Sequence, residues 1–503
     1  MICLQINKTF FFKILYFIFC WAGYITTVYA QQTKPVMDIG WNKVISVSKT
    51  TTTLQLVENP MVRPGSVMHK QTFAALKALG ANYVRYVPWF PYPKLAVAEL
   101  KAPTKDSTFW DFRYLDSTME AFMSATSGHS AVINFSTTPA WMWKTDSMVN
   151  YPNNPYETAW NYNQGKYLRD TTCQELSEYY VRLFSWYTKG GFTDELGKFH
   201  KSGHFYNIPY WEVLNEPDLE HNIPIEMYTR IYDVIVKSLH QVSPGTKFIG
   251  MSLAFATNPF YFEYFLDIKN HLPGVEPEGI SYHFYATPSW DDQELSGYRY
   301  TLFEKADAFI DRVRYIENIR KRLAPNTFTT INEVGTILRS PEIFKPIDSN
   351  YWNLSGALFA YIYLKLTIQG IDVLGESQLV GYPSQFPDVS MMDWNSQKPN
   401  ARYWVLWLLH QHFNMGDSLV ETTLKQDEPT GLIAQAFITK KGKKILFINT
   451  GVTGMSFLIP SSANGSLISS VDMTSGEMQP VTRSLMDNQV TLKPFAVAVA
   501  ELK

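Results

Sequence analysis

Sulfur cross-links are the first thing this 503-residue chain lacks. Of its 3 cysteines, Cys3 and Cys20 lie within the first 30 residues and leave Cys173 alone in the remainder. Once such a leader is removed no internal disulfide can form, so stability has to come from a buried core. Cys173 opens the amphipathic run Cys173-Gln174-Glu175-Leu176-Ser177-Glu178-Tyr179-Tyr180 and reads as a packing residue. An excess of charge is missing too: 44 Lys+Arg against 46 Asp+Glu give a formal net charge of −2, with no basic stripe. The electrostatic footprint of a nucleic-acid partner is therefore absent, and a neutral or weakly charged partner is expected. Internal repeats and low-complexity tracts are also lacking, which excludes solenoids.

Long apolar runs are confined to the N-terminus. Lys8, the stretch Phe10 to Tyr24 broken by Lys13, and Val28-Tyr29-Ala30 read as a secretory signal over residues 1–30, cleaved before Gln31. A membrane anchor is the competing reading, disfavoured by a short run that contains a lysine. The expected protein is secreted, extracellular or periplasmic, with no membrane insertion after cleavage.

What remains is long enough for a barrel of about 250 to 400 residues and one further module. Strand-like and helix-like segments alternate, the pattern of a parallel sheet with crossover helices. Candidate strands are Lys43–Val47, Tyr83–Val87, Ala131–Phe135, Tyr210–Leu214, Lys247–Met251, Gly279–Tyr285, Thr327–Ile331 and Ile371–Gly375. Eight is the number a closed barrel needs. The first is the weakest, because the Thr- and Pro-rich stretch from Lys49 to Pro64 has room for a hairpin. Phe73, Leu76 and Leu79, and Met227, Ile231, Val234 and Ile235, follow helical spacing. Between Pro341 and Asn400 the chain reads as irregular, either a substrate-shaping loop or a structural cover. From Met415 onward short alternating runs separated by Gly, Ser and Asn predict an antiparallel sandwich. The expected class is α/β: a (β/α)8 TIM barrel over residues 31–414 and a C-terminal β-sandwich over 415–503.

Two strand ends carry the chemistry. Tyr210-Trp211-Glu212-Val213-Leu214-Asn215-Glu216-Pro217-Asp218 runs from a β-type segment into Asn-Glu-Pro, and Thr327-Phe328-Thr329-Thr330-Ile331-Asn332-Glu333-Val334-Gly335 ends in a second Asn-Glu. A barrel keeps its reactive groups at such ends, and two carboxylates there suggest glycoside hydrolysis. These motifs, with Ser281-Tyr282-His283-Phe284-Tyr285 between them, resemble the retaining (β/α)8 glycosidases whose acid/base and nucleophile sit on strands 4 and 7. Val84-Arg85-Tyr86-Val87-Pro88-Trp89 and Phe109-Trp110-Asp111-Phe112 extend the likeness, from about Trp41 to Phe413, towards glycoside hydrolase family 39, which includes β-xylosidases and α-L-iduronidases.

That resemblance implies Glu216 as acid/base and Glu333 as nucleophile, about 5 to 5.5 Å apart in a retaining enzyme. It implies Asn215 as the partner of the sugar 2-hydroxyl, Tyr285 near the nucleophile, His283 near the sugar or the acid/base, and Arg85 as the group that orients and charge-stabilises Glu333. Independently, an arginine inside an apolar strand needs a carboxylate partner, and His283 and Tyr285 alternate onto one face. Asn134, at the end of strand 3, is a further candidate for the pocket. With 15% aromatic residues and 14 Trp, stacking on sugar faces is expected. Trp143 is nominated, together with Trp89, Trp141, Trp290 and Trp394.

No cofactor is expected. His200 and His204 are four apart but flank Ser202-Gly203, with no third ligand evident, so no metal is expected either. Asn332 stands where Thr or Ser is more frequent before the nucleophile. No set of basic residues near the site announces a uronic acid, which favours a neutral sugar. The expected partner is an oligosaccharide or polysaccharide, possession of both carboxylates arguing against an inactive glycan-binding barrel. Transglycosylation, exo or endo action and oligomeric state stay open.

Overall fold

The computed structural model describes residues 36–503 apart from 161, 163–164, 289–294, 339–346, 382–386, 426–428 and 476–477. The expected signal at 1–30 and Trp290 lie outside the described residues.

In chain order the strands are β1 (Met37–Val47), β2 (Thr51–Glu58), β3 (Val84–Pro88), β4 (Ala131–Ile133), β5 (Gly191–Thr193), β6 (Phe199–Lys201), β7 (Tyr210–Glu212), β8 (Lys247–Leu253), β9 (Gly279–Ala286), β10 (Phe328–Thr336), β11 (Val373–Glu376), β12 (Ser418–Leu424), β13 (Leu432–Thr439), β14 (Gly442–Asn449), β15 (Met455–Leu458), β16 (Leu467–Val471), β17 (Val481–Ser484), β18 (Gln489–Leu492) and β19 (Val497–Glu501). Eight of them, β2-β3-β4-β7-β8-β9-β10-β11, close into a parallel barrel, as expected for an α/β TIM fold. Helices pack around it, among them His69–Leu79 and Ile225–Val242 where the spacing places them. Among the described residues no helix is long and apolar enough to cross a membrane.

Two expectations need correction. Lys43–Val47 is not the first barrel strand: it is the end of β1, which pairs antiparallel with β12 from Met37↔Leu424 to Val47↔Ser418. Val44, Ile45 and Val47 are about half exposed there, so the apolar run that suggested a barrel strand lies on a sheet edge. The barrel uses β2 instead, a strand with three Thr and one Gln that meets a polar interior: Gln55 accepts from Arg85. Among its described residues, the stretch from 341 to 400 is irregular only in its latter part, where Gln378 and Val389 line a cavity at the barrel mouth; the earlier part is regular. It holds the helix Ser349–Gln369, buried on almost every side, so no polar face interrupts its apolar residues to reveal a period.

The C-terminal segment, with β1 from the N-terminal side of the barrel added at one edge, forms a seven-stranded antiparallel sheet, β1-β12-β13-β14-β19-β16-β17, with the pair β15-β18 beside it. Period-two alternation divides its side chains between two cores. Phe437, Leu446, Ile448, Val497 and Val499 join the core of the barrel and its helices, with Phe413 and Phe437 rings 4.4 Å apart. Ala436, Ile445, Phe447, Ala498 and Ala500 face the other way, onto Phe457, Ile468 and Val490. Because barrel and sheet share one core, chemical denaturation should show a single transition. Phe437→Ala should lower the unfolding free energy by about 3–5 kcal/mol, the usual cost of emptying a buried aromatic site. Two separate transitions in the wild-type protein would contradict the shared core.

Candidate active site

The end of β7 is held in an unusual backbone shape. Leu214 and Glu216 have φ of +61° and +42°, a region that costs a non-glycine residue order 1–3 kcal/mol. Hydrogen bonds from the surroundings maintain it. Asn134 Nδ2 donates to Leu214 O at 3.0 Å, Tyr228 OH to Val213 O at 2.9 Å, and Glu216 N to Ser252 O at 2.9 Å. Beyond Pro217, the Asp218 carboxylate accepts from the N–H groups of Ala254 and Phe255. The result turns the Glu216 carboxyl, its side chain only 13% exposed, over the barrel mouth.

Glu333 arrives by a different device. Regular β10 pleating would send Asn332 and Glu333 to opposite faces. The register of β10 slips against both neighbours between Thr330 and Val334, and both side chains enter the barrel. Asn332 Nδ2 reaches Glu212 at 2.7 Å, whereas Glu333 meets Arg85 Nη1 at 2.6 Å. Gly375 makes room for this bulge, since a Cβ there would sit 3.1 Å from Asn332 O.

Arg85, fully buried on β3, joins the parts. Its Nε donates to Glu212 at 2.5 Å, Nη1 to Gln55 at 2.7 Å as well as to Glu333, and Nη2 to Asn215 at 2.6 Å and Ser252 at 3.0 Å. Tyr285 OH donates to the second Glu333 oxygen at 2.6 Å, and His283 Nδ1 lies 2.8 Å from Glu216 and 3.6 Å from Glu333. One oxygen each of Glu216 and Glu333 and a ring nitrogen of His283 all fall within 4.8 Å of one another. This is a spacing a cation could use, but both Glu333 oxygens already accept from Arg85 and Tyr285, and the guanidinium would repel it. The donor set suits proton transfer.

The two carboxyl groups are pushed apart electrically. Burial raises Glu216, and the charge of Glu333 adds to it while His283 opposes, so the group is held above the ordinary carboxylate range. Burial alone would raise Glu333 too, yet His283, Arg85 and the hydroxyl of Tyr285 together bring it below. His283 itself is raised, against its burial, by Glu333 and Glu216.

Glu216, Glu333, Asn215, His283 and Tyr285 thus converge on one cavity of about 950 Å³. Arg85 lies beneath it. Asn134 does not reach it: wholly buried, its amide supports Glu212 at 2.5 Å. Trp143 is a second correction. It is only 3% exposed, bonds Thr138 at 2.8 Å and stacks on His221 at 4.2 Å, so it belongs to the core. Trp141 and Trp394 are likewise not among the lining residues, whereas Trp89 is. Trp89, Phe90 and Trp160 form an aromatic corner of the cavity, with ring centroids 5.3 to 5.8 Å apart. Phe90, Trp160, Gln55, Glu220 and Phe255 also line it and carry no motif that marks them. Glu212 was legible in principle, as a charged residue inside the apolar run that precedes Asn-Glu-Pro.

Glu212 accepts from Arg85, Asn134, Asn332 and Ser281, and its loss would strand a buried guanidinium. Glu212→Ala should therefore cost about 3–5 kcal/mol in a denaturant melt. An unchanged midpoint would show that Arg85 finds its balance elsewhere.

No protein-family model and no curated protein sequence matches the chain. Solved structures do. A GH51 arabinofuranosidase from Xanthomonas axonopodis pv. citri aligns over 93% of this chain and 99% of its own, at 14% identity and a TM-score of 0.60. The α-L-arabinofuranosidase of Thermotoga maritima, solved with arabinose, covers 93% and 99% at 14% identity and 0.58. A GH30 endoxylanase from Clostridium papyrosolvens C71 covers 92% and 98% at 12% identity and 0.54. The chain has the barrel-plus-β-domain fold of these glycoside hydrolases along almost its whole described length.

Proposed function

We propose that this protein is a retaining O-glycosidase, with Glu333 as nucleophile and Glu216 as acid/base. One observation carries the reading: two carboxyl groups with oxygens within 4.8 Å, one raised above the ordinary carboxylate range chiefly by burial and the other brought below it by His283, Arg85 and Tyr285. Inverting enzymes separate the pair by roughly 6.5–9.5 Å to admit a water, and this pair is closer. Glu333, ionised and oriented by Arg85 and Tyr285, attacks the anomeric carbon as the bond to the leaving oxygen breaks. Glu216 gives that oxygen its proton. When the covalent ester forms, the Glu333 charge disappears, the Glu216 carboxyl becomes more acidic, and it takes a proton from the water that releases the sugar. Asn215, hydrogen-bonded to Arg85 and Glu220, stands where it can meet the 2-hydroxyl.

The motif likeness to family 39 supports a β-xyloside as the first substrate to try. The arabinofuranosidases and the endoxylanase that share the fold support a carbohydrate substrate more broadly. Secretion through cleavage after Ala30 is part of the same proposal.

Glu333→Gln should abolish release of nitrophenol from aryl glycosides while leaving the fold intact by circular dichroism. Glu216→Ala should slow substrates with poor leaving groups by about 10²–10⁴-fold and spare activated ones. Full activity of either variant on an unactivated glycoside would sink the assignment.

The pH profile follows from the shifts. Activity needs Glu333 ionised and Glu216 protonated, so kcat/KM should be bell-shaped, with its acid limb below and its alkaline limb above the ordinary carboxylate range. His283 lowers both groups, so His283→Asn should move both limbs upward in pH. Limbs unmoved by that change would deny His283 its electrostatic part.

A further inference from the structure

The cavity does not stop at the carboxylates. It continues past the end of β9 to a wall made by Thr257, Thr287, Phe309 and Arg312, the last two on the helix Leu295–Leu323. Phe284, between His283 and Tyr285 on β9, links the two parts by stacking on Phe309 at 4.3 Å with ring planes 12° apart. Lys305, Phe309 and Arg312 recur at i, i+4 and i+7, one stripe of the helix beside its buried row Leu302, Ala306, Val313 and Ile316. Lys305 Nζ is anchored on Thr287, 3.0 Å from its hydroxyl oxygen and also on its carbonyl, which places a second cation just behind the wall.

Arg312 is partly buried in this wall, and among the described residues it makes no hydrogen bond, ion pair or ring contact. The acids nearest in sequence are engaged elsewhere: Asp307 accepts from Tyr361, and Asp311 pairs with Arg314 at 2.9 Å. Every other arginine close to the site is spent on protein carboxylates, Arg85 on Glu212 and Glu333, Arg402 on Glu376. A guanidinium that lines a cavity with no protein partner among the described residues can grip a planar oxyanion through two parallel hydrogen bonds.

We propose that the glycan bound in this cavity carries an oxyanion, a carboxylate or a sulfate ester, which Arg312 binds, with Lys305 adding longer-range attraction. This rests on the glycosidase reading for the identity of the ligand as a carbohydrate. It revises the expectation of a neutral sugar, because the cation stands on the helix that precedes β10, outside both Asn-Glu motifs, and only the fold turns it to the cavity. The anion need not belong to the sugar that is cleaved; a β-xyloside at the carboxylates is compatible with an acidic unit or branch against Arg312.

Affinity electrophoresis of the Glu333→Gln protein tests this, in gels holding neutral arabinoxylan, a carboxylated glycan (polygalacturonate or hyaluronan) or a sulfated one (chondroitin sulfate). Retardation is expected in at least one anionic gel. It should be lost in Glu333→Gln carrying Arg312→Gln, largely kept with Arg312→Lys, and unchanged with Arg314→Gln on the exposed face of the same helix. The carboxylated and sulfated gels tell the two oxyanions apart. Since Arg312 has no partner among the described residues, Arg312→Gln should melt within about 1–2 °C of its parent, as surface-type changes do. Retardation that survives Arg312→Gln, or that occurs in the neutral gel alone or in no gel, overturns the proposal. Reducing-end release by the wild-type protein separates it from the catalytic reading: Arg312-dependent binding without cleavage of any glycan would leave this inference standing and remove the glycosidase. Cleavage of neutral arabinoxylan at a rate indifferent to Arg312 would do the reverse.

Discussion

The buried guanidinium of Arg85 is the constraint around which the site is arranged. A charge with no exposed surface is tolerated only when paired and fully hydrogen-bonded. Arg85 meets that demand with Glu212 and Glu333 as ionic partners and Gln55, Asn215 and Ser252 as neutral ones. These residues belong to β2, β7, β8 and β10 or to the turn after β7, so one side chain spans the barrel from side to side. Glu212 absorbs part of the positive charge and passes the constraint on to Asn134, Ser281 and Asn332. The base of the cavity is therefore a closed polar network inside an apolar shell, the kind of arrangement that admits one geometry when fully satisfied.

That network explains how two glutamates of the same chemistry acquire opposite roles. Both are buried, and burial by itself would raise both. Glu333 sits over Arg85 and receives Tyr285, so its charged form is favoured; Glu216 has His283 beside it but no guanidinium, and it looks across at a negative neighbour. Asn332, the residue that departs from the commoner pattern before a nucleophile, lends its amide to Glu212 and leaves Glu333 to Arg85 and Tyr285.

The two misplaced elements share a cause. Apolar patterning reports how much water a segment avoids, and it is informative when one side of an element is wet and the other dry. β2 has a polar inward side because the barrel interior at that level is ionic, and β1 shows half-exposed Val and Ile on a sheet edge, so the pattern pointed to the wrong strand. The helix Ser349–Gln369 is dry nearly all round, so its sequence carries no period. Strands such as β8, β9 and β10, flanked by loops with clear turn residues, were legible.

By itself the sequence determined the local chemistry: where β-type runs end in Asn-Glu, that an arginine inside one of them must find a carboxylate, and that His283 and Tyr285 share a side. Those conclusions depend on neighbours within a few residues and on the period of a strand. Tertiary structure alone decided which side chains meet across the barrel. It made Trp143 a core residue and Trp160 a cavity residue, turned Asn134 from the pocket towards Glu212, and brought Arg312 to the wall of the cavity. Tryptophan and arginine are equally at home in a core, on a surface or in a site, and nothing local distinguishes these fates. Only the closure of eight strands, which brings residues hundreds of positions apart within hydrogen-bonding distance, assigns them.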